Sequence, residues 1–163
     1  MELTIMSRTT DTNMLKWFSK SDRVGDWVSE ATRFGEIYMT SAQSLAANVL
    51  ARIGGTRLSR LNVVAHGSPQ RVLFGNDMIE VSNFRKFETF FKLLRGRFTP
   101  DGLVHFQICE IGQNFVLLTL FAQAFGVPVI AGQGGESSLY RFNFKKYNRC
   151  DPTGTCKVDL KRP

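Results

Sequence analysis

Leu61-Asn62-Val63-Val64-Ala65-His66-Gly67-Ser68-Pro69 is the stretch on which the fold turns. Four of the five residues from Leu61 to Ala65 are apolar, and they run straight into His-Gly-Ser-Pro, a tetrapeptide that stops regular structure. That reads as a buried strand with a functional-looking end. The pattern recurs downstream. Leu103 to Ile108 is a second buried-strand candidate, ending at Cys109, and Val127 to Ala131 is a third, ending in Gly132-Gln133-Gly134-Gly135. Leu3 to Met6 and Ile37 to Met39 supply two shorter strand candidates.

The segments between them read as helices. Thr40 or Ser41 can cap a helix carrying Leu45, Val49, Leu50 and Ile53, and Gly54-Gly55 ends it. Phe84, Phe87, Phe90, Phe91 and Leu94 recur at helical spacing, predicting a helix from about Ser82 to Arg97 that Thr99-Pro100-Asp101-Gly102 closes. Asn114 to Phe125 is an apolar helix stopped by Gly126, and Asn13 to Arg33 has helical character of its own. Arg71 to Phe74 and Met78 to Val81 flank Gly75-Asn76-Asp77 as a hairpin. The tail from Leu139 to Lys161 alternates enough for another. Strand, helix and strand in this order predict right-handed crossovers and an α/β fold of mostly parallel sheet with helices on both faces. In such sheets, sites form at the carboxyl ends of strands. His66-Gly67, Cys109 and Gly132-Gln133-Gly134 should therefore gather on one edge.

Composition narrows the classes. The 163 residues are about one domain, and 43% apolar content suits a packed core rather than a disordered chain. No apolar run approaches the roughly 20 residues that cross a bilayer. Met1 to Trp17 carries Glu2 and Asp11 and no apolar block, so no signal peptide is expected, and the chain reads as cytoplasmic or as delivered by a signal-independent route. The formal charge of +7 comes from scattered bases. Arg85, Lys86, Lys92, Arg95 and Arg97 interleave with the phenylalanines, and Arg141, Lys145, Lys146 and Arg149 lie among Tyr140, Phe142, Phe144 and Tyr147. No nucleic-acid-binding motif accompanies either cluster, so a solvated basic surface or an acidic protein partner is the better reading.

The three cysteines divide. Cys150 and Cys156 flank the turn sequence Asp151-Pro152-Thr153-Gly154-Thr155, where a facultative bridge can close a hairpin. No four-ligand set for zinc is visible and no cofactor is implied. Cys109 stands alone at a strand end. A thiolate nucleophile needs an imidazole to accept its proton and later protonate the leaving group. His105 sits four residues away on the same strand, roughly 13 Å distant at the rise of an extended chain. His66 ends a different strand, and if the two strands are neighbours it can share a cleft with Cys109. Taken singly, a strand-end Cys is commonly a small buried apolar residue and a His before Gly a turn residue. Their paired positions make the dyad.

Asn62 to Pro69, followed by Val72-Leu73-Phe74-Gly75, resembles the histidine segment of caspase-like (clan CD) cysteine peptidases, and more particularly the bacterial caspase-like domains of the DUF4347 type. Ile108-Cys109, then Gly112 and Phe115-Val116, is similar to their cysteine segment. The resemblance spans about Ile37 to Gly132. It implies a three-layer caspase-like sandwich over 1–163, a Cys109 nucleophile and a His66 general base and acid. It also implies an oxyanion hole from the N–H groups of Gly67 and Cys109, in a peptidase acting on protein or peptide, such as a bacterial effector or toxin domain. Gln107 matches the caspase pattern, and Arg141 follows the last core strand where caspases supply an arginine. Together they imply a pocket for an acidic side chain.

Three departures stand out. Ile108 replaces a glycine before the nucleophile, Gly112 comes one place late, and Ser68-Pro69-Gln70 replaces Ser-Pro-Gly. A carboxylate next to the nucleophile, Glu110, also opposes the thiolate unless it faces solvent. Two other readings share the fold: a Cys-His enzyme acting on a different acyl group, by deamidation or thioester transfer, and an inactive module that binds an acidic partner.

Overall fold

The computed structural model describes residues 1–8, 37–135 and 146–161. Ten strands and three helices fall within them. In chain order they are β1 (Glu2–Ser7), β2 (Ile37–Met39), α1 (Ala42–Ile53), β3 (Leu58–Val64), β4 (His66–Ser68), β5 (Arg71–Phe74), β6 (Asp77–Glu80), α2 (Glu88–Lys92), β7 (Phe98–Gln107), α3 (Phe115–Phe125), β8 (Val129–Gly132), β9 (Tyr147–Cys150) and β10 (Cys156–Leu160). Seven strands form one sheet in the order β10-β9-β8-β7-β3-β1-β2, and β4-β5-β6 form a small second sheet. From β2 through β8 every pairing is parallel, and β9 and β10 extend the sheet antiparallel. The fold is mixed α/β on a mostly parallel sheet.

Alternation along β3 sorts the two faces. Leu61 and Val63 join Val104, Phe106, Val129 and Ala131 in the main core, together with α1, α2 and α3. Helix α2 touches both α1 and α3, and all three pack on this one face. Met6, Val64 and Tyr38 pack on the opposite face, where Asn62 and His105 are also buried. Among the described residues, therefore, helices cover one face and not both. The expected helix over Asn13 to Arg33 lies outside the described residues, as does the start of the C-terminal hairpin.

Local chemistry explains the helices that form. Ser41 caps α1 in a reciprocal box: the Ser44 N–H donates to Ser41 Oγ at 3.0 Å, and the Ser41 N–H donates to Ser44 Oγ at 2.9 Å. A third first-turn donor, the N–H of Ala42, reaches Asp77 Oδ2 at 2.8 Å, tying α1 to the hairpin before β6. Ala42, Leu45, Ala46, Val49 and Ile53 form the buried stripe. Helix α3 is apolar nearly all round, and Phe121 at its centre meets Phe74, Phe84, Phe91, Phe106 and Phe125 with ring centroids 4.9–6.2 Å apart.

Three sequence expectations change. The helix predicted over Ser82 to Arg97 is a 3₁₀ turn, Phe84–Lys86, followed by the short α2. Asn83 spends its side chain on the Glu80 N–H and the Met78 carbonyl rather than on a cap; Phe84, Phe91 and Leu94 are buried in the core, and Phe87 and Phe90 pack against it partly exposed. Thr99-Pro100-Asp101-Gly102 does not close a helix. It bulges within β7, where Leu58 pairs with Phe98 but Arg60 pairs with Leu103. Finally, His66-Gly67-Ser68 does not merely stop a strand. It is itself β4, paired antiparallel with Leu73, Val72 and Arg71.

Candidate active site

Parallel register brings the two candidate segments together. Val64 at the end of β3 is the Cα partner of Gln107 at the end of β7. The Ala65 N–H donates to the Gln107 carbonyl at 3.4 Å, so the pairing persists one residue further. His66 and Cys109 each follow by two residues, His66 as the first residue of β4 and Cys109 in the turn after β7. Both side chains are half-buried, and the Cys109 thiol is free of any disulfide. β8 is the next parallel neighbour, and its end, Gly132, lies on the same edge. The three strand ends gather as the sequence predicts.

Each segment turns away sharply. After Val64 the chain enters the small sheet, whose pairing fixes His66 opposite Leu73. After Cys109 it passes through Glu110 in the left-handed region at φ 58°, then a 3₁₀ turn, Ile111–Gln113, and then α3. A non-glycine residue there costs about 1–2 kcal/mol and persists where its surroundings over-determine it. The Glu110 N–H is held by the Gly134 carbonyl at 2.8 Å, linking the ends of β7 and β8. Asn114 caps α3, accepting from the Leu117 N–H at 2.9 Å.

Two glycines are required by what faces them. A Cβ at Gly67 would run into the Cγ2 of Ile108, so the isoleucine side chain occupies the space the glycine leaves. A Cβ at Gly112 would meet the carbonyls of Ala131 and Gly132, which seats the turn after Cys109 directly on the end of β8.

The remaining candidates separate. Gln107 lies two residues before Cys109 on the same strand face, and its Oε1 is buried without a hydrogen-bond partner. Arg141 lies outside the described residues. His105 is buried, pairs in register with Asn62, and packs its ring 5.7 Å from that of Tyr147, well down the strand from Cys109. Cys150 and Cys156 are joined by a disulfide across β9 and β10. Among the described residues no three His, Cys, Asp or Glu side chains cluster as metal ligands, and no helix is long and apolar enough to cross a membrane.

Beside the Cys109 turn lies a shallow depression of about 400 Å³, lined by Gln113, Phe115, Gln133, Asn148 and Val158. Its polar floor is hydrogen-bonded: Gln113 Nε2 donates to the Gln133 carbonyl at 2.7 Å, and Gln133 Nε2 donates to Asn148 Oδ1 at 2.8 Å. Sequence reasoning missed Asn148 and Gln133. An asparagine inside a short strand carries no pattern that announces its partners. Asn114 was findable, since it directly precedes the apolar helix.

Compared with protein-family models, curated proteins and solved structures, the chain matches none of them.

Proposed function

We propose that the chain is a cysteine peptidase of the caspase-like class, with Cys109 as nucleophile and His66 as general base and acid. The observation that supports this reading is the Val64–Gln107 register, which pairs the two strands two residues before His66 and Cys109. His66 takes the thiol proton as Cys109 Sγ bonds to the scissile carbonyl carbon. The resulting oxyanion accepts hydrogen bonds from the Gly67 and Cys109 N–H groups. Collapse breaks the C–N bond, and His66 returns the proton to the departing amine. Water then attacks the thioester, its proton passing to His66, and the acid is released with the thiol restored. Gln107 and Arg141 would give the pocket a preference for acidic side chains. Its buried, unpartnered Oε1 marks Gln107 as a group with hydrogen-bonding capacity in reserve.

Reaction of the intact protein with a small thiol-directed electrophile at neutral pH tests the dyad. Selective modification of Cys109, abolished or greatly slowed by His66→Ala with the fold intact, is the expected result. Slow modification indifferent to that substitution would remove His66 from the chemistry and favour a binding module. Against a peptide library, cleavage after Asp or Glu, weakened by Arg141→Ala, is expected. A basic or bulky apolar preference would remove Gln107 and Arg141 from the pocket.

A further inference from the structure

The C-terminal hairpin reaches the Cys109 turn through one buried side chain. Asn148, on β9, is 3% exposed. Its Nδ2 donates to the Gly112 carbonyl at 2.9 Å. Its Oδ1 accepts from Gln133 Nε2 at 2.8 Å and from the Asp159 N–H at 3.1 Å. Partners on both sides fix which way the amide faces. Asp159 lies on β10 at φ 56°, and its Oδ1 accepts a second Gln133 Nε2 hydrogen bond at 3.0 Å. A chain of hydrogen bonds thus runs from β10 through Asn148 to Gly112, three residues beyond the thiol.

β10 is otherwise held by its pairing with β9 and by the turn that joins them. Lys157, Val158 and Asp159 are exposed, and its pairing with β9 shifts register between Lys157 and Leu160. Its first residue is secured covalently, because Cys156 is the register partner of Cys150 and the two form the disulfide.

We propose that this hairpin is a redox-sensitive positioning device for the Cys109 turn, with Asn148 as the positioning residue and the Cys150–Cys156 bond as its latch. The proposal rests on the reading of Cys109 as a nucleophile. With the bond closed, β10 holds Asn148 and Asn148 holds Gly112. Reduction by a dithiol opens it: one thiolate attacks Cys156 Sγ, the S–S bond breaks, and Cys150 leaves as a thiolate that takes up a proton. The second thiol of the reductant then displaces Cys156. Two electrons pass to the protein, and the reductant ends as its own disulfide. Released from its start, β10 frays, Asn148 loses the Asp159 N–H, and the turn relaxes around Glu110.

Amide hydrogen exchange on the full chain tests this, comparing the oxidised wild type with the phosphine-reduced wild type, Cys150→Ser/Cys156→Ser and Asn148→Asp. In all three perturbed forms the amides from Glu110 to Asn114 should exchange about tenfold faster while those of α1 keep their protection. NMR should show loss of the strong intraresidue NH–Hα contact that marks Glu110 as left-handed. Alkylation of Cys109, read peptide by peptide, should slow by about tenfold, as expected when a reacting group loses its geometry. If a variant loses protection in α1 as well, the phosphine-reduced wild type decides. Unchanged exchange at Glu110 to Asn114 in that form overturns the proposal. Faster exchange with a Cys109 that is inert even in the oxidised wild type upholds the coupling and overturns the catalytic reading instead.

Discussion

Asn114 donates its side-chain Nδ2 to the carbonyl of Pro69 at 2.8 Å, bridging the loop that follows the histidine strand to the helix that follows the cysteine turn. The same side chain caps α3 with its Oδ1. One residue therefore joins the segments that follow the two candidate positions, and its two functions can be separated. Asn114→Asp keeps the capping acceptor and loses the donor, whereas Asn114→Ala loses both. Urea unfolding should rank them, with Ala costing about 1–3 kcal/mol and Asp clearly less. Equal losses would mean that the bridge to Pro69, not the cap, dominates.

Two phenylalanines on α3 should behave oppositely. Phe121 is fully buried among five other rings, so Phe121→Ala should destabilise by about 3–5 kcal/mol. Phe115 opens the same helix but is 40% exposed, and its truncation should cost under about 1 kcal/mol. If the Cys109 site takes peptides, Phe115→Ala should instead change which of them are cleaved, since Phe115 lines the depression beside the turn. Denaturation curves and a peptide library read the two effects independently.

The left-handed backbone at Glu110 makes a third prediction. Glu110→Gly relieves a conformational cost of about 1 kcal/mol but adds freedom to the unfolded chain worth about as much, so its net effect should be small. Glu110→Val puts a β-branched side chain at positive φ and should destabilise by about 1–2 kcal/mol. A neutral Glu110→Val would show that the turn adopts a different backbone in solution.

At the hairpin tip, Asp151 titrates low. Its carboxylate accepts from Thr153 Oγ1 at 2.6 Å, and from the Thr153 and Thr155 N–H groups at 2.9 and 3.0 Å. The Thr153 hydroxyl is the main cause holding the acid below its ordinary value. Because the folded value is depressed, the stabilisation is present above the unfolded carboxylate value and is lost as pH falls through the folded one. Thr153→Ala should move the Asp151 midpoint upward, measured from its side-chain carboxyl carbon by NMR. No movement would assign the shift to the backbone donors.

The strands that hold the site were legible because β3 and the second half of β7 are short, mostly apolar runs with abrupt ends, and so were the Ser41 cap of α1 and the Gly126 stop of α3. Cys109 and His66 were singled out for the same reason: each is the residue at which such a run stops. Burial of the phenylalanines was readable, but not the path of the backbone that buries them. Periodicity over Ser82 to Arg97 fits a helix, yet Asn83 ties its side chain back to Glu80 and Met78, and the segment runs as a 3₁₀ turn followed by the short α2. The bulge at Thr99 to Gly102 was hidden because Pro and Gly signal a turn and a strand irregularity equally well. Asn148 was hidden most completely, since its partners come from three segments distant in the chain.

The irregular outer strand has one more consequence, for how copies of the molecule meet. β10 ends the described sheet, and a flat terminal strand presents a row of open donors and acceptors to any passing chain. Here the row is broken. Lys157 and Asp159 put opposite charges on solvent, and the backbone twists out of line where Asp159 turns left-handed between Lys157 and Leu160. A neighbouring molecule offered that border cannot zip along it. The kink that delivers an N–H to Asn148 therefore also discourages edge-to-edge pairing of one sheet with the next, and straightening it would offer a neighbouring molecule a longer regular edge.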